Sequence, residues 1–142
     1  MDHSNRRQFL AGTALLGVAA TASLNLHAES SESPKVQPTM PKLIHKVFFW
    51  LKNPDSREDR DKLIAGIKSL AAIETVRAIH VGVPASTEKR DVVDNSFDVS
   101  EMLGFDDVEG QNIYQVHPLH QKFVEEHSHL WRKVVVYDSM AV

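Results

Sequence analysis

From residue 43 onward the chain shows two alternating hydrophobic periods. The first stretch is LIHKVFFWL, residues 43–51. Side chains alternate across a strand, so Leu43, His45, Val47, Phe49 and Leu51 share one face, and Ile44, Lys46, Phe48 and Trp50 share the other. Both faces are apolar in their middle. A sheet covered on one side only would leave Phe48 and Trp50 in water, so a cover is expected on each face. Residues 53–73 switch to the helical period. Ser56 followed by Asp59 resembles a capping box, acids crowd the first turn, and Leu63, Ile64, Ile67, Leu70 and Ala71 form one stripe. Gly66 costs such a helix about 1 kcal/mol relative to alanine, which points to a neighbour packed close against it.

Alternation returns in VRAIHVGVP, residues 76–84, with Ile79, Val81 and Val83 on one face and Pro84 ending the run. A polar loop follows. SFDVSEMLGF, residues 96–105, reads as a weaker strand with Phe97, Val99, Met102 and Phe105 inward. Residues 106–116 begin with acids and turn helical. Pro118 breaks that helix, because the residue before a proline avoids helical backbone. A second helix starts with Pro118 at its first position and runs through Trp131. KVVVYD, residues 133–138, is the final strand. With the helix pair taken as one unit the order is βαββαβ, an α+β ferredoxin-like fold with a four-stranded antiparallel sheet. Its helices lie on one sheet face. The apolar second face of the first strand then needs a partner. A second copy of the same sheet supplies one, giving a symmetric homodimer that joins through its sheet faces as an α/β barrel.

The first 41 residues follow a different logic. SNRRQFLAG sets Arg6-Arg7 before Gln8, Phe9 and Leu10, and an uncharged run rich in Ala, Leu and Gly fills residues 11–26. A charged start, a modestly apolar middle and a small residue at Ala28 make a twin-arginine-type signal peptide over residues 1–28. The apolar run is shorter than the roughly 20 residues that span a bilayer, so no stable membrane span is expected after cleavage. Residues 29–41, ESSESPKVQPTMP, are rich in Ser, Pro and acid and read as a flexible linker. Residues 42–142 are the folded domain. The expectation is a bacterial protein handed to the twin-arginine export machinery already folded, and acting in the periplasm or beyond.

Composition narrows the chemistry. The 142 residues are 42% hydrophobic and 25% charged, ordinary for a globular domain. A net charge of −3 gives no pull towards nucleic acid. The absence of cysteine excludes disulfides, thiol catalysis and thiolate-held iron–sulfur clusters. No Gly-rich phosphate loop, nucleophilic serine motif or aromatic-basic platform occurs in the sequence.

The folded part resembles the stress-responsive dimeric α/β-barrel, or Dabb, family. LIHKVFFWLK is similar to the family's opening His-x-Val-x-Phe-x-x-Lys pattern, with His45, Val47, Phe49 and Lys52. VDNSFDVSEMLGFDD looks like its third strand, YQVHPLHQKFV like its Tyr-x-x-His-Pro-x-His signature, and VVVYD like its closing strand. The likeness covers residues 42–138, with the motifs in order and at matching spacing. It implies the dimeric ferredoxin-like barrel and much less about activity. Most members have no assigned reaction, a few are polyketide cyclases in which a histidine of the His-Pro-x-His signature acts as base, and some relatives in the wider superfamily bind haem or are monooxygenases.

Candidate chemistry gathers at one place. In an antiparallel sheet of this order the last strand lies beside the first, which brings Asp138 near His45. The break at Pro118 sets Tyr114 and His120 on either side of a kink over the sheet. These four are the candidate catalytic residues: His120 as general base, Tyr114 as donor to a carbonyl, His45 as a second polar group, and Asp138 to orient an imidazole. His117, Phe49 and Phe123 are candidate binding residues. A structural reading stands beside this one: His117 occupies a helix N-cap position, and His120 shares a stripe with Phe123 and Val124, consistent with a packed histidine bonded to Tyr114 or Asp138. Metal binding by His117, His120 and His127, with His129, Glu125 or Glu126 nearby, is a third; no HExxH spacing supports it, and neither metal nor cofactor is expected. The expected role is an exported module for a small apolar or carbonyl ligand, non-catalytic or stress-related. The alternative is a small cofactor-independent enzyme, polyketide-cyclase-like or isomerase-like, that uses a His/Tyr pair on a carbonyl substrate.

Overall fold

The computed structural model describes residues 40–142. The predicted signal segment 1–28 and most of the linker lie outside the described residues. The elements in chain order are β1 (Leu43–Leu51), α1 (Arg57–Ser69), β2 (Ala78–Gly82), β3 (Val99–Phe105), α2 (Val108–Val116), α3 (Pro118–His127) and β4 (Trp131–Met140). Short 3₁₀ turns, Leu70–Ala72 and Ser128–Leu130, follow α1 and α3. The strands form one antiparallel sheet in the order β2-β3-β1-β4. This is the ferredoxin-like α+β fold expected from the element order. Among the described residues no helix is long and apolar enough to cross a membrane.

The helix-facing side of β1 carries Leu43, His45, Val47, Phe49 and Leu51, all buried. The α1 stripe seals this face with Leu63, Ile67 and Leu70, each fully buried. Ser56 caps α1 by accepting from the Asp59 amide at 3.2 Å. Ala71, placed on the stripe by periodicity, is exposed because the chain tightens into a 3₁₀ turn after Ser69 and rotates it outward. Gly66 is where α3 comes closest. A Cβ there would stand 2.5 Å from His127 Nε2, so the glycine follows from helix-on-helix approach.

The other face of β1 is covered in part by the chain itself. Trp50 is buried: its indole N–H donates to Ser96 Oγ at 3.1 Å and Lys133 Nζ lies 4.3 Å from the ring centre. Phe97 packs edge-on against Phe48 at 5.0 Å, and Tyr137 does so from β4 at 6.1 Å. The loop before β3 therefore covers the Trp50 end of this face. The third strand begins at Val99 rather than at residue 96, and this corrects its inward set. Val99, Glu101, Leu103 and Phe105 face the core, while Met102 pairs on the opposite side and Phe97 belongs to the outer cluster. A one-residue change of phase exchanges the faces. Val83 lies past the end of β2 and is half exposed. The final helix ends at His127, and Trp131 opens β4, which pairs with β1 as far as Leu43 opposite Met140.

Candidate functional site

The signature region is built from two caps and a break. Asp107 caps α2 by accepting from the Gly110 amide at 2.8 Å. The helix then carries Tyr114 on its buried face and stops at Val116. His117, in extended backbone before Pro118, caps α3: its Nδ1 accepts from the Leu119 amide at 3.1 Å, and its Nε2 lies 3.3 Å from a Glu74 carboxylate oxygen. The turn folds the His120 ring back over Tyr114, with ring centroids 4.5 Å apart.

Below these rings is a cavity of about 260 Å³ between the sheet, α2 and α3, reaching the edge strand β4. Its walls are mostly apolar: Val47, Phe49, Phe123, Val124, Trp131, Val134 and Val136. Four polar side chains converge on it, namely His45, Glu101, Tyr114 and His120, and Gln115 adds a fifth at the rim. No Lys or Arg lines it. Small, mainly apolar cavities with a few convergent polar groups are the common form of a small-molecule site.

The hydrogen-bond partners settle the imidazole tautomers. His45 Nδ1 lies 2.6 Å from Asp138 Oδ1, directly across the β1–β4 ladder. A carboxylate can only accept, so Nδ1 carries the proton and Nε2 is left as the basic nitrogen. His120 Nδ1 lies 3.0 Å from the Gln115 carbonyl, another acceptor, with the same consequence. The His120 partner is thus a backbone carbonyl rather than Tyr114 or Asp138. Burial lowers the His120 pKa below its ordinary 6.5; the Gln115 hydrogen bond pulls the other way, and nearby His45 lowers it further. The ring is therefore neutral near pH 7 and available as a base. Tyr114 is fully buried and its hydroxyl donates to Glu101 Oε1 across a long 3.4 Å. Burial, and then the charge and hydrogen bond of Glu101, push the phenol well above its usual range, so it remains a donor. Burial also holds the Glu101 carboxyl up at about 7, against a smaller opposite effect from the Tyr114 hydroxyl.

The family model of the stress responsive A/B barrel domain matches residues 43–141. The chain belongs to the Dabb family. Among solved structures, a protein from Arabidopsis thaliana is 25% identical, with a TM-score of 0.61, over 70% of this chain and 95% of that one. Hydroxynitrile lyase from Passiflora edulis is 22% identical, with a TM-score of 0.61, over 72% and 95%. A dimeric ferredoxin-like protein of unknown function from Thermobifida fusca is 17% identical, with a TM-score of 0.56, over 69% and 89%. No functionally curated protein matches the sequence.

The Dabb domain thus brings His45, Tyr114 and His120 to one cavity, with Phe49 and Phe123 in its wall. Asp138 reaches the site through His45. His117 does not line the cavity; its ring serves the helix start and Glu74. His127 bonds the Phe123 carbonyl at 2.9 Å and packs on Gly66, apart from His117 and His120. Among the described residues no three His, Cys, Asp or Glu side chains are grouped to hold a metal ion. Glu101 is the site residue that sequence reasoning missed. Its signal was present in Val99-x-Glu101-x-Leu103-x-Phe105, but an inward Met102 put the strand out of phase.

Proposed function

We propose that this Dabb domain binds a small, partly apolar carbonyl compound in the cavity and carries out acid–base chemistry on it. The observation that carries the reading is the tautomer of His120: a neutral ring, its Nδ1 proton held by the Gln115 carbonyl, with Nε2 left as base beside a protonated phenol. With a carbonyl oxygen at the Tyr114 hydroxyl, His120 takes the proton from the adjacent carbon and Tyr114 stabilises the enolate that forms. His45, fixed by Asp138, offers a second basic nitrogen to a substrate hydroxyl. The lyase likeness, at 22% identity, argues for the fold alone, so the chemical class rests on these side chains. Binding without turnover is the second reading, favoured by the apolar walls.

The test is proton exchange. Acetophenone and related small ketones in deuterated buffer should exchange their α-protons faster with the protein present, as followed by NMR. His120→Ala and Tyr114→Phe should each lower that rate by about 100-fold with little change in melting temperature. Ketones that bind without exchanging would leave the binding reading. Variants that only melt earlier, with the rate kept, would make these side chains structural.

The proposal extends to assembly and location. The Arg6-Arg7-Gln8-Phe9-Leu10 order supports export, with cleavage after Ala28. Phe48 and Tyr137 on the outer sheet face support a homodimer closed sheet to sheet, Tyr137 being exposed in the single chain. Native mass spectrometry of protein recovered from an expressing bacterium reads both at once, as the cleaved mass and its double.

A further inference from the structure

Glu101 occupies a place that hydrophobic patterning reserves for an apolar side chain. It stands on the core face of β3, with Val47 opposite on β1 and Val81 opposite on β2. Only 3% of it is exposed. A buried carboxyl normally has its oxygens satisfied by several donors. Here the only protein donor among the described residues is the Tyr114 hydroxyl, at 3.4 Å, which is a weak contact. A carboxylate can accept about four hydrogen bonds, so most of its capacity faces the cavity that it lines. Leucine would fill such a row at less cost. The same cavity has no Lys or Arg in its wall, and its second acidic influence, Asp138, sits behind His45.

We propose that Glu101 sets the ligand selectivity of the cavity: it accepts a hydrogen bond from a hydroxyl or amine of the bound carbonyl compound, and with no Lys or Arg in the wall to offset it, it turns away ligands that carry a carboxylate or phosphate. The substrate class is then a neutral or cationic carbonyl compound with a hydrogen-bond donor, rather than a keto acid or a phosphorylated sugar. This inference rests on the reading of the cavity as a site for small carbonyl compounds. An incoming donor would also free the Tyr114 hydroxyl for the carbonyl oxygen, since the Glu101 oxygens then have a better partner than a contact at 3.4 Å.

Three aldehydes of similar shape test it: 4-(hydroxymethyl)benzaldehyde, 4-methylbenzaldehyde and 4-carboxybenzaldehyde. Their affinities are measured by quenching of tryptophan fluorescence, Trp131 being in the cavity wall, at mildly alkaline pH where Glu101 is ionised. The wild type should bind the hydroxymethyl compound about 10-fold more tightly than the methyl compound, and the carboxylate most weakly. Glu101→Leu should remove the hydroxymethyl preference. Glu101→Gln keeps an acceptor of the same shape, so it should retain that preference and admit the carboxylate. A wild type that takes the carboxylate as well as the hydroxymethyl compound overturns the proposal without recourse to any variant. If all three bind and neither variant changes their ratios, the cavity reading stands and the role of Glu101 falls. If none binds, the carbonyl-site reading itself fails and takes this inference with it.

Discussion

Glu101 carries a stability signature as well as a binding role. Its carboxyl is raised from an ordinary 4.5 to about 7 by burial. The folded state therefore holds this proton where the unfolded chain has released it. For an acid shifted upward, stability is highest below the unfolded pKa and falls as pH rises through the folded one. The rise from 4.5 to about 7 corresponds to roughly 3 kcal/mol, lost across that window. Urea unfolding as a function of pH should show this decline in the wild type, and Glu101→Gln should flatten it. A wild-type curve without the decline would mean that Glu101 is better solvated than its surroundings indicate. The neighbouring histidines divide the labour differently. His117 is spent on the start of α3, whereas His45 and His120 keep a basic nitrogen because an acceptor holds their other one.

At the scale of elements, the site depends on how α1 and α3 meet. Gly66 on α1 receives the His127 ring of α3, and that ring stacks on Phe123 at 5.1 Å, which in turn walls the cavity. Gly66→Ala improves helix propensity by about 1 kcal/mol, yet its methyl meets a ring anchored to the Phe123 carbonyl. The expected net effect is a loss of roughly 1–2 kcal/mol in denaturant unfolding, and adding His127→Ala should recover most of it. A more stable single variant would show that the ring moves aside freely. These elements also show where sequence reading held and where it slipped. The Ser56 cap, the Pro118 break and the alternation of β1 are local patterns, and each appears in the fold as expected. The phase of β3 slipped because Phe97 and Met102 are apolar on the outer face, where Phe48 and a covering loop make such residues acceptable.

For the whole molecule, the outer sheet face is the open matter. Solved structures of the same fold include proteins described as dimeric. In this chain the loop around Ser96 covers Trp50, while Tyr137 stays 62% exposed. A sheet-to-sheet dimer buries on the order of 800 Å² per partner, and Phe48 with Tyr137 would stand in that interface. Sedimentation of the domain at micromolar concentration should give twice the chain mass, and Tyr137→Asp should shift it to the monomer. A wild-type monomer would remove the barrel and leave the single-chain cavity intact.

Sequence by itself determined the order of the elements, the Ser56 cap, the break at Pro118 and the family, because these follow from patterns along the chain. It also placed Asp138 beside His45, since strand order and direction follow from the βαββαβ pattern. Only the tertiary structure decided which imidazole nitrogen stays basic, that His117 is a cap outside the cavity, and that a carboxyl lies between Val47 and Val81. Those properties depend on partners far apart in sequence, a carboxylate for His45 and two flanking strands for Glu101, on the kink at Pro118 that turns His120 back onto the Gln115 carbonyl, and on the burial that packing imposes on them.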